Sequence, residues 1–151
     1  DNFDPKSGHV LSALMARFHQ AKVSGVESVT LWGSGSPRRE FIHADDIADA
    51  CVHLLAQDDV AVELPLNIGI GVDVSIKELA ELIAGVVGFK GRLDWDLTKP
   101  DGAPRKLLDS TRIQSLGWKP KVGLAEGLAT TYRWYVDHAK TETSPVREAR
   151  E

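Results

Sequence analysis

Apolar residues recur three and four positions apart in several stretches of the chain, and this spacing predicts amphipathic helices. The predicted helices cover about residues 9–22, 46–57, 76–87, 110–116 and 124–138. Shorter runs rich in β-branched, aromatic and other apolar residues lie between them and predict strands over residues 29–32, 38–43, 66–69 and 92–96. This order of elements predicts a mixed α/β unit with short strands, without internal repeats and without a domain linker.

Several of the predicted helix ends carry capping residues. Ser75 and Glu78 have the spacing of a capping box, in which each side chain accepts a hydrogen bond from the other residue's backbone N–H. Either Asp45 or Asp46 is expected to cap the helix that follows them, and Gly88 is expected to end the third helix.

The composition is that of one globular domain, and it excludes several functional classes. The chain has 151 residues, of which 42% are hydrophobic and 26% charged, and its net charge is −4 at neutral pH. A net negative chain does not attract nucleic acid as a whole, so any anion must bind at a local basic cluster. There is no apolar run long enough to span a bilayer and no recognisable signal peptide, so we expect a cytoplasmic protein that binds no membrane. Cys51 is the single cysteine, and its place on an apolar helix face predicts a small core residue.

His9 and Arg17 form the first candidate site. An imidazole at a loop-to-helix junction can face a cleft and transfer protons near neutral pH. Arg17 follows eight residues later and lies within about 80° of His9 around the helix axis, so both can face one site. An exposed or capping histidine and a solvated arginine are the alternatives.

Residues 32–40 form the second candidate, with the sequence Trp-Gly-Ser-Gly-Ser-Pro-Arg-Arg-Glu. A glycine-rich turn exposes backbone amides, and the adjacent Arg38 and Arg39 could both bind phosphate oxygens. The ring of Trp32 could stack on a base or a sugar, so the stretch has the character of a nucleotide diphosphate site. A hairpin turn with a buried Trp32 and a surface arginine pair fits the composition equally well.

Residues 99–106 form the third candidate, with the sequence Lys-Pro-Asp-Gly-Ala-Pro-Arg-Lys. Two prolines stiffen this loop, so its charged groups lose less entropy when they bind a ligand. Asp101 can accept hydrogen bonds from hydroxyl groups, while Arg105 and Lys106 favour phosphate. A solvated loop is the alternative.

Two further patterns predict no cofactor site. His43, Asp45, Asp46 and His53 have the chemistry of metal ligands, but the two aspartates lie where a helix requires capping carboxylates. We therefore predict no metal. The chain also lacks a Gly-x-x-Gly-x-x-Gly turn, and its short Gly-x-Gly at residues 69–71 predicts a plain turn.

Together these stretches resemble the carboxyl-terminal half of the GDP-L-fucose synthase family. The residues that carry the resemblance are 2–10, 31–46, 67–69, 88–91 and 99–109, within a similarity that runs from about residue 1 to 138. The Lys-Pro-Asp-Gly-x-Pro-Arg-Lys loop is its most specific signal, and Arg-Glu-Phe-x-His-x-Asp-Asp is common to nucleotide-sugar epimerases and dehydratases. The resemblance implies the substrate-binding part of an extended short-chain dehydrogenase/reductase with a Rossmann-type α/β fold. It also implies NADPH-dependent 3,5-epimerisation and 4-reduction of GDP-4-keto-6-deoxy-D-mannose.

The resemblance also implies roles for individual residues. His9 matches the family's active-site histidine, which is the general acid of epimerisation and a contact of NADP. The positions that match GDP-sugar-binding residues are Arg17, Trp32, Arg39, Asp101 and Lys106. We accordingly expect His9 and this group, with the charged and aromatic side chains directed inward, to line one pocket.

The departures from the family indicate that the chain is one part of a longer enzyme. The family's Tyr-x-x-x-Lys pair and its catalytic cysteine have no counterpart here, and Cys51 does not match that cysteine. We expect a substrate-binding domain over 1–140, a mobile tail over 141–151, and an upstream half that binds most of the NADP. We expect a homodimer of the intact enzyme, and no NADPH oxidation by residues 1–151 alone. Another nucleotide-sugar enzyme of the same superfamily and a non-catalytic nucleotide-sugar-binding module are the alternatives.

Overall fold

The computed structural model describes residues 2–4, 7–57 and 65–139. Its helices are α1 (Val10–Val23), α2 (Ala44–Leu55), α3 (Ile76–Val87), α4 (Thr111–Ser115) and α5 (Leu124–Ala139). Its strands are β1 (Ser28–Trp32), β2 (Arg38–Arg39), β3 (Val74–Ser75), β4 (Arg92–Asp96) and β5 (Arg105–Lys106). The tail predicted over 141–151 lies outside the described residues. Among the described helices, none combines the length and the apolar character that crossing a bilayer requires.

The larger apolar core lies between the helices and the two five-residue strands. β1 and β4 pair in parallel, and α1, α3 and α5 pack around them. Because the helices direct one apolar stripe inward, the most deeply buried side chains come from that stripe, and they include Met15, Phe18, Leu79, Ile83 and Leu128. The ring of Phe18 stacks on that of Phe89, with 5.7 Å between the centroids.

A second, smaller sheet and a second cluster complete the fold. β2 lies between β3, to which it is antiparallel, and β5, to which it is parallel. In the second cluster, Ala50 of α2 packs with Ile113 of α4 and with Trp118. This cluster joins α2 to the segment between α4 and α5.

Most of the predicted helix ends are confirmed. Ser75 caps α3, and its hydroxyl and the Glu78 carboxylate satisfy each other's backbone N–H groups in the predicted capping box. Gly88 ends the same helix in the left-handed region, with φ 77°, which favours a residue without a Cβ atom.

The capping of α2 was predicted wrongly. The N-cap residue is His43, whose Nδ1 accepts the Asp45 N–H at 3.3 Å. Asp46 is buried, and its carboxyl oxygens accept the backbone N–H groups of Lys121 and Val122 at 2.9 and 3.0 Å. Asp46 therefore joins α2 to the segment before α5 instead of capping a helix.

Three further predictions differ from the structure. Residues 66–69 form no strand, because no described strand pairs with their backbone. The side-chain amide of Asn67 donates to the Asp109 carbonyl, but this bond is not part of a strand ladder. Cys51 is exposed rather than buried, because α2 buries Ala50 and half-buries Leu54 while the rest of its apolar face lies at the surface. The segment predicted over 38–43 is extended only at Arg38–Arg39 as a strand.

Replacing Ser75 with Ala should lower the free energy of unfolding by about 1 kcal/mol, because α3 loses its N-cap acceptor and half of its capping box. Urea unfolding followed by circular dichroism measures this loss. Ser115→Ala is the control, since the exposed Ser115 hydroxyl donates to a carbonyl within its own helix. Equal stability of the two variants would contradict the prediction.

Candidate functional site

In the short stretch Arg38-Arg39-Glu40, the first and third side chains have structural partners, and the second can bind a ligand. Residues two apart in an extended chain point to one side, and the residue between them points to the other. Arg38 and Glu40 accordingly both contact residues 71–73, whereas Arg39 contacts the 102–103 segment. The prediction that both arginines bind phosphate is therefore wrong for Arg38.

Arg38 and Arg105 converge on the buried carboxylate of Asp73. The Nε atom of Arg38 donates to Asp73 Oδ1 at 2.7 Å, its Nη2 donates to the Asp73 carbonyl, and the Nε atom of Arg105 donates to Asp73 Oδ2. The hydrogen bond from Arg38, followed by that from Arg105, lowers the pKa of Asp73, so the group is ionised at neutral pH. Arg105, predicted to favour phosphate, is thus paired with a carboxylate of its own chain.

Arg39 is half-buried and keeps hydrogen-bonding capacity for a ligand. Its Nη1 donates to the carbonyls of Arg38 and Ala103, at 2.7 and 2.8 Å. A guanidinium has five N–H donors, and the remaining three, on Nε and Nη2, have no hydrogen-bond partner within the described ranges. Nη2 lies beside Gly102, where a Cβ atom would come within 3.2 Å. Arg39 is therefore fixed by two carbonyls and can still donate to an anion.

Asp101 joins the turn after β1 to the 99–106 loop. Its carboxylate accepts the backbone N–H of Ser34 at 2.8 Å and the Ser34 hydroxyl at 2.6 Å. These two bonds, that of the hydroxyl first, lower the pKa of Asp101. The turn needs glycine at position 33, since its φ is +76° and a Cβ atom there would collide with the Asp101 carboxylate.

Trp32 lies at the end of β1 and is 72% exposed, which excludes the alternative of a buried tryptophan in a hairpin. The ammonium group of Lys99 lies 5.7 Å from the centroid of its ring, in a cation–π contact. An exposed indole beside a cation is suited to stacking on a planar ring.

Arg17 and Lys106 extend the same surface. Arg17 Nη2 donates to the carbonyl of Thr30, which precedes Trp32 by two residues on β1. Lys106 is exposed on β5 and lies opposite Arg39 in the register of the two strands. These contacts connect the segments that carry the candidate residues. We call the set of five the loop surface: Arg17, Trp32, Arg39, Asp101 and Lys106.

His9 lines a separate cavity of about 500 Å³. It is the N-cap residue of α1, with an extended backbone at φ −67° and ψ 159°. The walls come from α1, α5, the start of α2 and the N-terminal segment, and they are mostly apolar; among them are Phe3, Phe41, Ile42, Leu124, Leu128 and Trp134. A second imidazole, that of His43, also lines the cavity and packs against Gly127, where a Cβ atom would come within 3.1 Å.

The structure therefore divides the predicted site residues into two groups. None of the five residues of the loop surface lines the cavity of His9. The expectation of one pocket for all of them is not met within this chain. The sequence left four positions without a role: His43, Asp73, Ser34 and Glu40. Their contacts with Gly127, Arg105, Asp101 and Gly71, respectively, join residues far apart along the chain, so no local pattern indicates them.

The described residues form neither a metal centre nor a dinucleotide cradle. Within them, no three His, Cys, Asp or Glu side chains are close enough to hold a metal ion. The glycine turn at 69–71 faces a carboxylate, because the Gly71 N–H donates to Glu40 Oε1 at 2.7 Å and a Cβ atom on Gly69 would collide with the same group. The Gly71 amide is already bonded to a carboxylate, and the negative charge of that carboxylate would repel a pyrophosphate. The turn therefore does not suit a pyrophosphate.

Comparison with known proteins gives one family for the first part of the chain. Residues 1–69 match the family model described as "NAD dependent epimerase/dehydratase family". The chain is 60% identical over 136 residues to GDP-L-fucose synthase 1 of Arabidopsis thaliana, covering 90% of this chain and 42% of that protein. It is 46% identical over 145 residues to GDP-L-fucose synthase of Escherichia coli K12, covering 91% of this chain and 45% of that protein.

A solved structure has the same fold. The crystal structure of a GDP-L-fucose synthetase from Naegleria fowleri bound to NADP superposes with a TM-score of 0.83 and is 26% identical. The match covers 93% of this chain and 44% of that one. The mixed α/β fold class predicted from the sequence is confirmed, and the chain spans less than half the length of these relatives.

Proposed function

We propose that this chain belongs to the NAD dependent epimerase/dehydratase family, whose model its residues 1–69 match, and that it is the nucleotide-sugar-binding part of a GDP-L-fucose synthase. Its fold is that of the extended short-chain dehydrogenases/reductases. In the proposed reaction, GDP-4-keto-6-deoxy-D-mannose is epimerised at C3 and C5 and then reduced at C4 with NADPH. The loop surface binds the GDP-sugar, and His9 transfers a proton.

The observation that carries the proposal is the 60% identity over 90% of the chain to a protein named as a GDP-L-fucose synthase. The loop surface has the chemistry that such a substrate requires. Arg39 offers N–H donors to a diphosphate, and Lys106 opposite it adds a second cation. Trp32 offers an exposed ring for stacking, and Asp101 offers carboxylate oxygens to hydroxyl groups.

His9 supplies the acid chemistry of epimerisation in this proposal. Removing a proton next to a carbonyl gives an enolate, and protonating it on the opposite face inverts the carbon. An imidazole that lines a mostly apolar cavity is suited to the second step, because it can donate a proton near neutral pH. The base that removes the proton is not assigned to any residue of this chain.

NADPH supplies hydride for the reduction, but the 69–71 turn does not fit its pyrophosphate, because the Gly71 N–H already binds the Glu40 carboxylate. We assign no step of the cofactor's chemistry to them beyond the contact of His9 that the resemblance implies. A homodimer and a cytoplasmic location likewise remain predictions for the intact enzyme.

Calorimetric titration of the full-length protein with GDP, UDP and dTDP tests the proposal. GDP should bind most tightly, and Arg39→Met should weaken its binding by about ten- to a hundredfold, since charge-assisted hydrogen bonds are lost. Arg133→Met is the matched control, because Arg133 is exposed on α5, which contributes no residue to the loop surface. Tighter binding of UDP or dTDP would favour another nucleotide-sugar enzyme, and equal affinities of the two variants would contradict the role of Arg39.

A further inference from the structure

We infer that Asp73 is a positioning residue of the nucleotide-sugar site: by holding Arg38 and Arg105 together, it sets the relative position of Arg39 and Lys106. This inference rests on the proposed function for the identity of the ligand. The placement of the loop by Asp73 can be measured without any ligand.

The backbone alone gives the 99–106 loop little support. β2 and β5 have two residues each, so few backbone hydrogen bonds hold them in register. Residues 97–109 contribute no side chain to either apolar cluster of the described residues. The position of the loop therefore depends on polar contacts.

Besides the hydrogen bonds to the Ala103 and Pro104 carbonyls from Arg39 and from the Arg38 backbone N–H, three carboxylates supply those polar contacts. Asp101 of the loop itself accepts from Ser34, and Glu40 accepts the N–H of Leu108 at 3.1 Å. Asp73 is the most buried of the three, with 5% of its side chain exposed, and it is the one that binds a side chain from each of the paired strands. A carboxylate shielded from water binds its partners more strongly than an exposed one.

The register links this carboxylate to the two cations of the loop surface. Arg38 is opposite Arg105, and Arg39 is opposite Lys106. Whatever holds Arg38 and Arg105 together therefore holds Arg39 next to Lys106, while the alternation of the strand keeps Asp73 away from the ligand. Arg38 also donates to Glu78, at 3.4 Å, so the capping box of α3 anchors the same arginine to a rigid helix.

The inference predicts how Asp73 and Lys106 together affect the affinity for GDP. If Asp73 acts by placing Arg39 and Lys106, its loss should weaken GDP binding, and Lys106 should then contribute less than it does in the wild-type protein. A residue that only stabilised the fold would leave the contribution of Lys106 unchanged in the molecules that remain folded.

The experiment uses the full-length protein with Asp73→Asn and the control Asp94→Asn. Asp94 is also paired with an arginine at 2.7 Å, but it lies on β4 and is much more exposed. Hydrogen–deuterium exchange without ligand should be faster, by about tenfold, in peptides covering 103–108 of Asp73→Asn alone, with α1 and β1 unchanged. Calorimetry should give an affinity for GDP about tenfold weaker than that of Asp94→Asn.

The coupling is measured by adding Lys106→Met to each background. We expect it to weaken GDP binding about fivefold with Asp94→Asn and less than about twofold with Asp73→Asn. If Asp73→Asn fails to fold, Arg105→Gln replaces it, since Arg105 is largely exposed and its loss breaks the same link to β5.

Equal exchange rates in the two aspartate variants would overturn the inference, whether or not the protein binds GDP. An undiminished effect of Lys106→Met in Asp73→Asn would also overturn it. Faster exchange at 103–108 in a protein that does not bind GDP would support the positioning of the loop by Asp73 and would instead overturn the proposed function.

Discussion

Replacing His9 with Asn in the full-length protein is expected to lower kcat for GDP-4-keto-6-deoxy-D-mannose by about a hundred- to ten-thousandfold. The affinity for GDP should stay within about twofold of the wild-type value. The physical reason is the separation seen in the structure: His9 lines the cavity, and the residues of the loop surface, which are proposed to bind GDP, do not. Asparagine is a polar residue that suits the N-cap position of α1 but cannot transfer a proton at neutral pH.

Isotope exchange in D₂O distinguishes an acid from a base at this position. A base elsewhere in the protein should still remove and return protons on one face, so His9→Asn should incorporate deuterium at C3 and C5 without inverting these carbons. His19→Gln is the control, because His19 bonds to the Tyr132 hydroxyl and does not line the cavity. Loss of both exchange and inversion would contradict the role of His9 as the acid, as would an unchanged kcat.

Local rules predicted the parts of the fold that depend on neighbours along the chain. The five helices follow the spacing of apolar residues, and the capping box joins two residues three positions apart. β1 has the β-rich composition that predicted it, and β4 alternates charged and apolar residues. These features could be predicted because their contacts lie within one turn of helix or one strand.

The candidate site depended on contacts that no local rule contains. Asp73 accepts hydrogen bonds from Arg38 and Arg105, which lie 35 and 32 residues away in the sequence. Two arginines whose sequence context suggested phosphate binding therefore have a structural role. The sequence also did not show that His9, the N-cap residue of α1, lines a cavity that Arg17 does not line. Eight residues, about 12 Å along the helix axis, separate the two. A residue type indicated the correct chemistry only where tertiary contacts left its functional group able to bind a ligand, as they do at Arg39.

The predictions that failed on α2 show the other limit. The face predicted to be buried includes Ile47, Cys51 and Leu55, but these residues lie at the surface of the described residues. A periodic pattern indicates that one face of a helix is apolar, but only the packed structure shows whether other residues cover that face. The same holds for residues 66–69, whose composition suits a strand but whose backbone meets no partner strand.

Replacing Asp46 with Ala is expected to lower the free energy of unfolding by about 3 kcal/mol. Its carboxyl oxygens accept the N–H groups of Lys121 and Val122, and each donor left unsatisfied in a buried place costs about 1–3 kcal/mol. The second cluster should loosen first, because the same segment carries Trp118, which packs on Ala50 and donates to Asp49.

Urea unfolding, followed by circular dichroism and tryptophan fluorescence, measures the loss. The adjacent Asp45→Ala is the matched control: the Asp45 side chain is 84% exposed, and its removal costs less than about 1 kcal/mol of favourable charge at the start of α2. From the sequence the two aspartates were equivalent capping candidates, whereas the structure separates them by burial. Equal stabilities of the two variants would show that Asp46 does not join α2 to the segment before α5.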